Sequence, residues 1–243
     1  MCFEPDSFPP IPVIRGAAVS HGDLLLEAAD GNTFAAFAST PDEPSGVGVV
    51  ILPDVRGLYR FYEELALRFA ERGMSAIAFN YFGRTAGAEK RGDDFEYRQH
   101  VEQTTPEGVQ ADVAACIAQL TRQGARSIFT VGFCFGGRAS WLAGADQDGL
   151  AGAIGFYGRP GDAIERAGEI KAPILALQAG ADQNISSEDN AAFDQALSSA
   201  GVEHEVVTYA GAPHSFFDRK QEEFAAASDD AWAKVLAFIA AHS

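Results

Sequence analysis

Cys134 stands in Gly132-Phe133-Cys134-Phe135-Gly136-Gly137, between an apolar run that reads as a strand and a segment that reads as a helix. The spacing is that of a nucleophile elbow, G-x-S-x-G, with sulfur in place of oxygen. Glycines at 132 and 136 permit the tight strand-to-helix turn that lifts the central residue above the sheet edge. A thiol there also lies at a helix N-terminus, whose dipole favours thiolate over thiol and lowers its pKa. A five-residue pattern alone is equally compatible with a buried structural cysteine in a Gly-rich turn. The glycines do not fit the dinucleotide pattern G-x-G-x-x-G. Two later residues add to the set: Asp182, in Ala179-Gly180-Ala181-Asp182-Gln183, and His214, in Gly211-Ala212-Pro213-His214-Ser215-Phe216. Singly they read as ordinary loop residues. A nucleophile, an acid and a histidine, each just beyond an expected strand, are the three groups that acyl transfer through a thiolate requires.

The elements that must position them follow from periodicity. A pair of strands is expected near residues 24–38, followed by a buried strand over Val47–Leu52. Tyr62, Leu65, Ala66 and Phe69 fall at helical spacing before Gly73 ends that helix. Ser75–Phe79 reads as the next strand. Thr105-Pro106 opens a helix with a hydroxyl N-cap and a first-turn proline, and Val109, Val113, Cys116, Ile117 and Leu120 form its inward stripe. Cys116 is therefore expected in the core. Further strands are expected at Ser127–Phe133, Ala151–Tyr157, Pro173–Gln178 and Glu203–Tyr209, with helices near 135–145 and 187–200. Trp232, Val235, Leu236 and Ile239 turn the last helix inward. Residues 83–106 show no clear periodicity, as expected of a loop that shapes a site or moves. Strands separated by helices imply an α/β fold, a mostly parallel central sheet with helices on both faces, and ligands at the carboxyl ends of its strands.

Composition narrows the partners. With 18 Lys and Arg against 34 Asp and Glu, the formal charge is −16, and no window gathers basic residues without interleaved acids. Nucleic acid and acidic membrane surfaces are therefore not expected as partners. The apolar runs are strand-sized, too short to span a bilayer. The N-terminus, Met1-Cys2-Phe3-Glu4-Pro5-Asp6, has neither the basic nor the apolar region of a secretory signal, so a cytoplasmic protein is expected. Cys2, Cys116 and Cys134 lie far apart without metal-ligand spacing; no disulfide scaffold, metal or cofactor is implied. At 243 residues a single domain over 1–243 is expected, as a monomer or small homo-oligomer.

Across Leu52-Pro53-Asp54-Val55-Arg56-Gly57, the elbow, Gly180-Ala181-Asp182 and Gly211 to Phe216, the chain resembles the dienelactone hydrolase family, with the matching pieces in the expected order over nearly its whole length. The resemblance implies one α/β-hydrolase domain without a large cap and a Cys-His-Asp triad acting on esters or lactones. In that likeness Cys134 is the nucleophile, His214 the base and Asp182 the orienting acid, and the backbone N–H groups of Val55 and Phe135 form the oxyanion hole. Where the family's best-known pattern has Glu near the thiol this chain has Asp54, and the following aromatic is replaced by Arg56. In the family a carboxylate at that position is linked to thiol deprotonation, so Asp54 and Arg56 are expected to tune the thiol, with Arg56 holding Asp54 as an ion pair that keeps the carboxylate from it; an Asp54 that only satisfies loop amides is the competing reading. The arginine usual four residues after the histidine is replaced by Asp218, with Arg219 next to it.

Substrate contacts are expected from Arg84, Arg159 and Arg219, and from Tyr81, Phe82, Tyr157, Phe216 and Phe217; surface charge and core packing are the competing explanations. The expected substrate is a small ester or lactone. A promiscuous carboxylesterase of neutral esters, and a catalytically silent binder on the same fold, remain the alternatives.

Overall fold

The computed structural model describes residues 3, 4, 6–17, 19–92 and 94–243. Cys2 lies outside the described residues. Strands β1 (Val19–Glu27) and β2 (Thr33–Pro41) form an antiparallel pair, with β2 also antiparallel to β4 (Ser75–Phe79). From there the sheet is parallel: β3 (Val47–Leu52), β5 (Ser127–Phe133), β6 (Gly152–Phe156), β7 (Ile174–Ala179) and β8 (His204–Tyr209), in the order β1-β2-β4-β3-β5-β6-β7-β8. The central strands β3 and β7 are buried end to end, Gln178 being their one polar residue, because both faces of the sheet are covered, as parallel sheets require.

Alternation along β3 divides the core. Val49 and Ile51 point to one face and pack with Phe61, Tyr62, Leu65 and Phe69 of α1 (Arg60–Ala70) and with Trp232, Val235 and Ile239 of α8 (Ala225–Ala241). Val50 and Leu52 point to the other face, under Val109, Val113, Cys116 and Leu120 of α4 (Pro106–Arg122) and Ala139 and Ala143 of α5 (Phe135–Asp146). Thr105 caps α4, its side chain accepting from the Gly108 amide. The expected inward stripe of α4 is buried, Cys116 included, except that Ile117 is only partly so. Helices α6 (Gly161–Glu165) and α7 (Ser187–Ala200) flank β6 and β7, and α7 opens on a capping box between Ser186 and Asp189.

The aperiodic stretch 83–106 contains two single-turn helices, α2 (Gly83–Ala86) and α3 (Arg98–Val101). Each is one turn long, too short for a hydrophobic period to register in the sequence. The first strand pair is longer than its apolar residues indicate, because β1 lies at a sheet edge with one face in solvent. Among the described residues no helix is long and apolar enough to cross a membrane.

Candidate active site at the carboxyl ends of the strands

Cys134 is the residue between β5 and α5, with φ 55° and ψ −112°, a conformation that disfavours any side chain. The turn is held by the Cys134 amide donating to Phe156 O at 3.0 Å and by the Gly137 amide donating to Cys134 O at 3.0 Å. It closes only around glycine: a Cβ on Gly132 would lie 1.9 Å from Gly136 O, and one on Gly136 would lie 2.1 Å from Leu52 O. The sequence pattern thus has a steric origin, since two backbone segments cross where those side chains would be.

Asp182 follows β7 and His214 follows β8. His214 Nδ1 and Asp182 Oδ2 are 2.5 Å apart, and the Asp182 side chain is 1% exposed. The second carboxylate oxygen of Asp182 accepts from the Asn184 amide at 2.9 Å. His214 also hydrogen-bonds Cys134. With Nδ1 taken by Asp182, its other ring nitrogen is the one left for the thiol. Burial pushes the imidazole pKa down, but the hydrogen bonds to Asp182 and Cys134 and their charges outweigh it and raise the value to about 9. Burial also works against the Asp182 charge; the hydrogen bonds from His214 and the Asn184 amide prevail and hold its carboxyl below the usual range.

These groups border a cleft of about 400 Å³ lined by Val55, Cys134, Phe135, Arg138, Tyr157, Arg159, Asn184, Ile185 and His214. The amides of Val55 and Phe135 donate to no described residue. Their neighbours are engaged: the amides of Asp54, Arg56 and Gly57 all have acceptors. Two free N–H groups beside a thiol are what a developing oxyanion needs.

Asp54 lies behind the Val55 loop, 1% exposed. Its Oδ1 accepts from the Arg56 amide at 2.9 Å and its Oδ2 from the Tyr59 hydroxyl at 2.9 Å, while the Tyr62 hydroxyl accepts from its amide at 2.8 Å. The expected ion pair with Arg56 does not form. The Arg56 guanidinium donates instead to the Phe3 carbonyl and lies over the Tyr59 ring, 4.9 Å from its centroid. Burial raises the Asp54 carboxyl to about 6, with the negative charge of Cys134 adding to it; the Arg56 amide and Tyr59 oppose the rise.

Of the other expected substrate contacts, only Tyr157 and Arg159 line the cleft. Arg84 is turned away from it: the guanidinium bridges Asp30 at 2.8 Å and the fully buried Asp112 at 2.7 Å. Arg219 stacks over Phe8. Tyr81 is buried, donating to Pro53 O at 2.5 Å and meeting Phe135 edge-on at 5.1 Å, so it braces the elbow from below. Phe82 packs with Phe95 and His100, while Phe216 and Phe217 are wholly buried against Tyr157, Phe133 and Phe156. Aromatics next to strand ends are drawn into the core when a neighbouring helix covers them. Arg138, Asn184 and Ile185 line the cleft without having been singled out in the sequence. Their closeness to Cys134 and Asp182 along the chain was the available signal.

Residues 34–243 match the sequence profile of the dienelactone hydrolase family. The chain belongs to that family. A Synechocystis protein is 30% identical over 214 residues, covering 79% of this chain and 87% of the relative, and one from Escherichia coli K12 is 27% identical over 221 residues, covering 85% and 82%; both carry the name "Putative carboxymethylenebutenolidase". Among solved structures, a "Putative Dienelactone Hydrolase" from Klebsiella pneumoniae superposes with a TM-score of 0.79 at 25% identity, covering 92% of this chain and 99% of its own. A Pyrococcus furiosus esterase shares the fold, with a TM-score of 0.67 at 13% identity and coverage of 94% and 97%. The architecture is therefore that of the α/β-hydrolases.

Proposed function

We propose that this dienelactone hydrolase family member cleaves a lactone or small activated carboxylic ester through Cys134, with His214 as base and Asp182 as the group that orients it. The observation that carries this reading is the hydrogen bonding of His214 to both Asp182 and Cys134 beside two unoccupied amides. The imidazole takes the thiol proton, and the thiolate adds to the ester carbonyl carbon. Charge developing on the carbonyl oxygen falls between the Val55 and Phe135 amides. Collapse breaks the C–O bond, the leaving alkoxide or enolate takes the proton from His214, and an acyl thioester remains on Cys134. Water, deprotonated by His214, then attacks the thioester and releases the carboxylic acid and the thiol. In a lactone the leaving oxygen stays tethered, so the product is one ring-opened hydroxy or keto acid. Thiolates expel weakly basic leaving groups best, which favours enol and aryl esters.

Hydrolysis of p-nitrophenyl acetate and of a dienelactone by wild type, Cys134→Ala and Cys116→Ala tests the mechanism. Cys134→Ala should lose at least about three orders of magnitude in kcat/KM. Cys116→Ala should retain activity, since that thiol is buried in the core and burial pushes its pKa well up. Activity above a few per cent in Cys134→Ala rejects the cysteine as nucleophile. Neutral esters are the second substrate reading, favoured by the engagement of Arg84 and Arg219 away from the cleft.

A further inference from the structure

The histidine lies in the long connection from β8 to α8, and its two sides are fastened differently. Before it, the Ala212 carbonyl accepts from the Ala181 amide at 2.9 Å, joining the histidine and aspartate loops directly. After it, Ser215 has φ 63°, and Asp218 is nearly buried four residues beyond His214. No Lys or Arg side-chain nitrogen pairs with Asp218 within 4 Å among the described residues, and the Lys220 ammonium pairs with Asp6. Its carboxylate is satisfied by neutral donors: Ser7 Oγ–H at 2.6 Å, the Lys220 amide at 3.1 Å and the Phe8 amide at 3.4 Å. The Arg219 amide adds a bond to Phe8 O at 2.9 Å. Thus the donors that reach Asp218 from distant sequence all come from the N-terminal segment, more than 200 residues away.

That segment reaches the histidine from a second side. Phe3 is 2% exposed, stacks on Phe61 at 3.9 Å and meets Tyr157 edge-on at 6.3 Å; the Tyr157 ring is 4.8 Å from the His214 ring. Phe3 and Glu4 also wall a second cavity, about 320 Å³, whose lining includes His214, Ser215 and Asp218. Ser7 itself is fully buried, and its Oγ accepts from the Glu4 amide at 3.0 Å, so one hydroxyl joins the start of the chain to the carboxylate. A buried serine and a buried carboxylate are retained at a desolvation cost that a short charge-assisted bond offsets.

We propose that Ser7 and Asp218 form a clasp by which the segment around Ser7 positions the His214 loop from more than 200 residues away in sequence. Both are positioning residues, acting through His214 on the reading of Cys134 and His214 given above. Asp218 stands where the family's usual pattern has arginine, and here it faces Ser7, not the cleft.

The test uses the full chain with Ser7→Ala, Ser7→Thr, Asp218→Asn and, as a control, Asp6→Asn, which breaks only the exposed pair between Asp6 and Lys220. With a p-nitrophenyl ester, Ser7→Ala should lower kcat about tenfold with KM within about twofold, because a shift in the base slows chemistry without removing a substrate contact. Iodoacetamide should alkylate Cys134 correspondingly more slowly in the folded variant. Ser7→Thr should recover most of kcat, and Asp6→Asn should match wild type. Wild-type kcat and alkylation rate in folded Ser7→Ala, whatever its Tm, overturn the clasp; if Asp218→Asn does not fold, Ser7→Ala alone decides. Activity above a few per cent in Cys134→Ala would instead overturn the catalytic reading, so the two failures are distinct.

Discussion

Asp54 and His214 carry pH signatures of the same sign in different windows, and each follows from its surroundings. For Asp54, burial holds the folded pKa near 6, above the ordinary carboxylate value. Between about pH 4 and pH 6 the folded chain then binds more protons than the unfolded one, so this group's contribution to stability falls as pH rises through that window. Above it the ionised carboxylate costs about 3 kcal/mol relative to an unshifted one. Asp54→Asn should therefore raise Tm relative to wild type, by more at about pH 8 than at about pH 4. Thermal denaturation at the two pH values measures this, and an equal Tm difference at both would mean that Asp54 is not strained by burial. His214 has the same sign in a higher window: its folded pKa, near 9, lies above the ordinary imidazole value, so its stabilising interaction is complete below about pH 6.5 and is lost as pH rises through about 9. Wild type should lose its Tm advantage over His214→Ala across that interval. Asp54→Asn should also move the pH profile of Cys134 alkylation, because the carboxylate acts electrostatically on the thiolate; superimposed profiles from about pH 5 to pH 9 would reduce Asp54 to a support for the Val55 loop.

The junction of β5 and α5 concentrates the steric demand of the fold. Gly132→Ala or Gly136→Ala would drive a Cβ into backbone oxygen, leaving no side chain able to yield. Either should cost about 3 kcal/mol or more in urea denaturation and abolish turnover, whereas Gly168→Ala, where nothing lies within 4 Å, should do neither. That junction was legible because its constraint is local: turn, Cys134 and helix start lie within six residues. The central strands were legible for a similar reason, since burial on both faces makes them mostly apolar runs, as in β3 and β7. Arg84 was not, because its two carboxylates lie 54 and 28 residues away along the chain and no local period connects them. The Ser7 to Asp218 contact spans 211 residues and was hidden in the same way. Arg84 instead ties α2 to α4 and to the β1–β2 turn, so Arg84→Ala should lower stability by about 2 kcal/mol by stranding buried Asp112, discounted for the guanidinium's partial exposure. Its KM for any ester should stay near wild type; a selective rise for anionic esters would return Arg84 to substrate recognition.

Across the whole molecule, the charge of −16 and the composition of the cleft act on an anionic substrate in opposite directions. The net field repels it at long range, an effect that salt screens beyond about 10 Å at 0.1 M. Inside the cleft the two cations differ. Arg138 is paired with Asp162 at 2.9 Å and lies against the Phe135 ring, so much of its charge is already answered. Arg159 is exposed on the loop after β6 and has no carboxylate within 4 Å among the described residues. An incoming carboxylate would therefore find Arg159 the less encumbered partner, and a neutral ester would gain nothing from it. Arg159→Ala should raise KM about fivefold for an aryl ester bearing a carboxylate and less than about twofold for its neutral counterpart, as loss of one solvent-accessible charge-assisted contact implies. In the wild type, added salt should raise kcat/KM for the anionic ester by screening the global repulsion, while leaving the neutral one nearly unchanged. Steady-state kinetics on the matched pair, at low and moderate ionic strength, measures both effects. If Arg159→Ala changes the two esters equally, the arginine only shapes the cleft, and the neutral-ester reading of the protein is the one that stands.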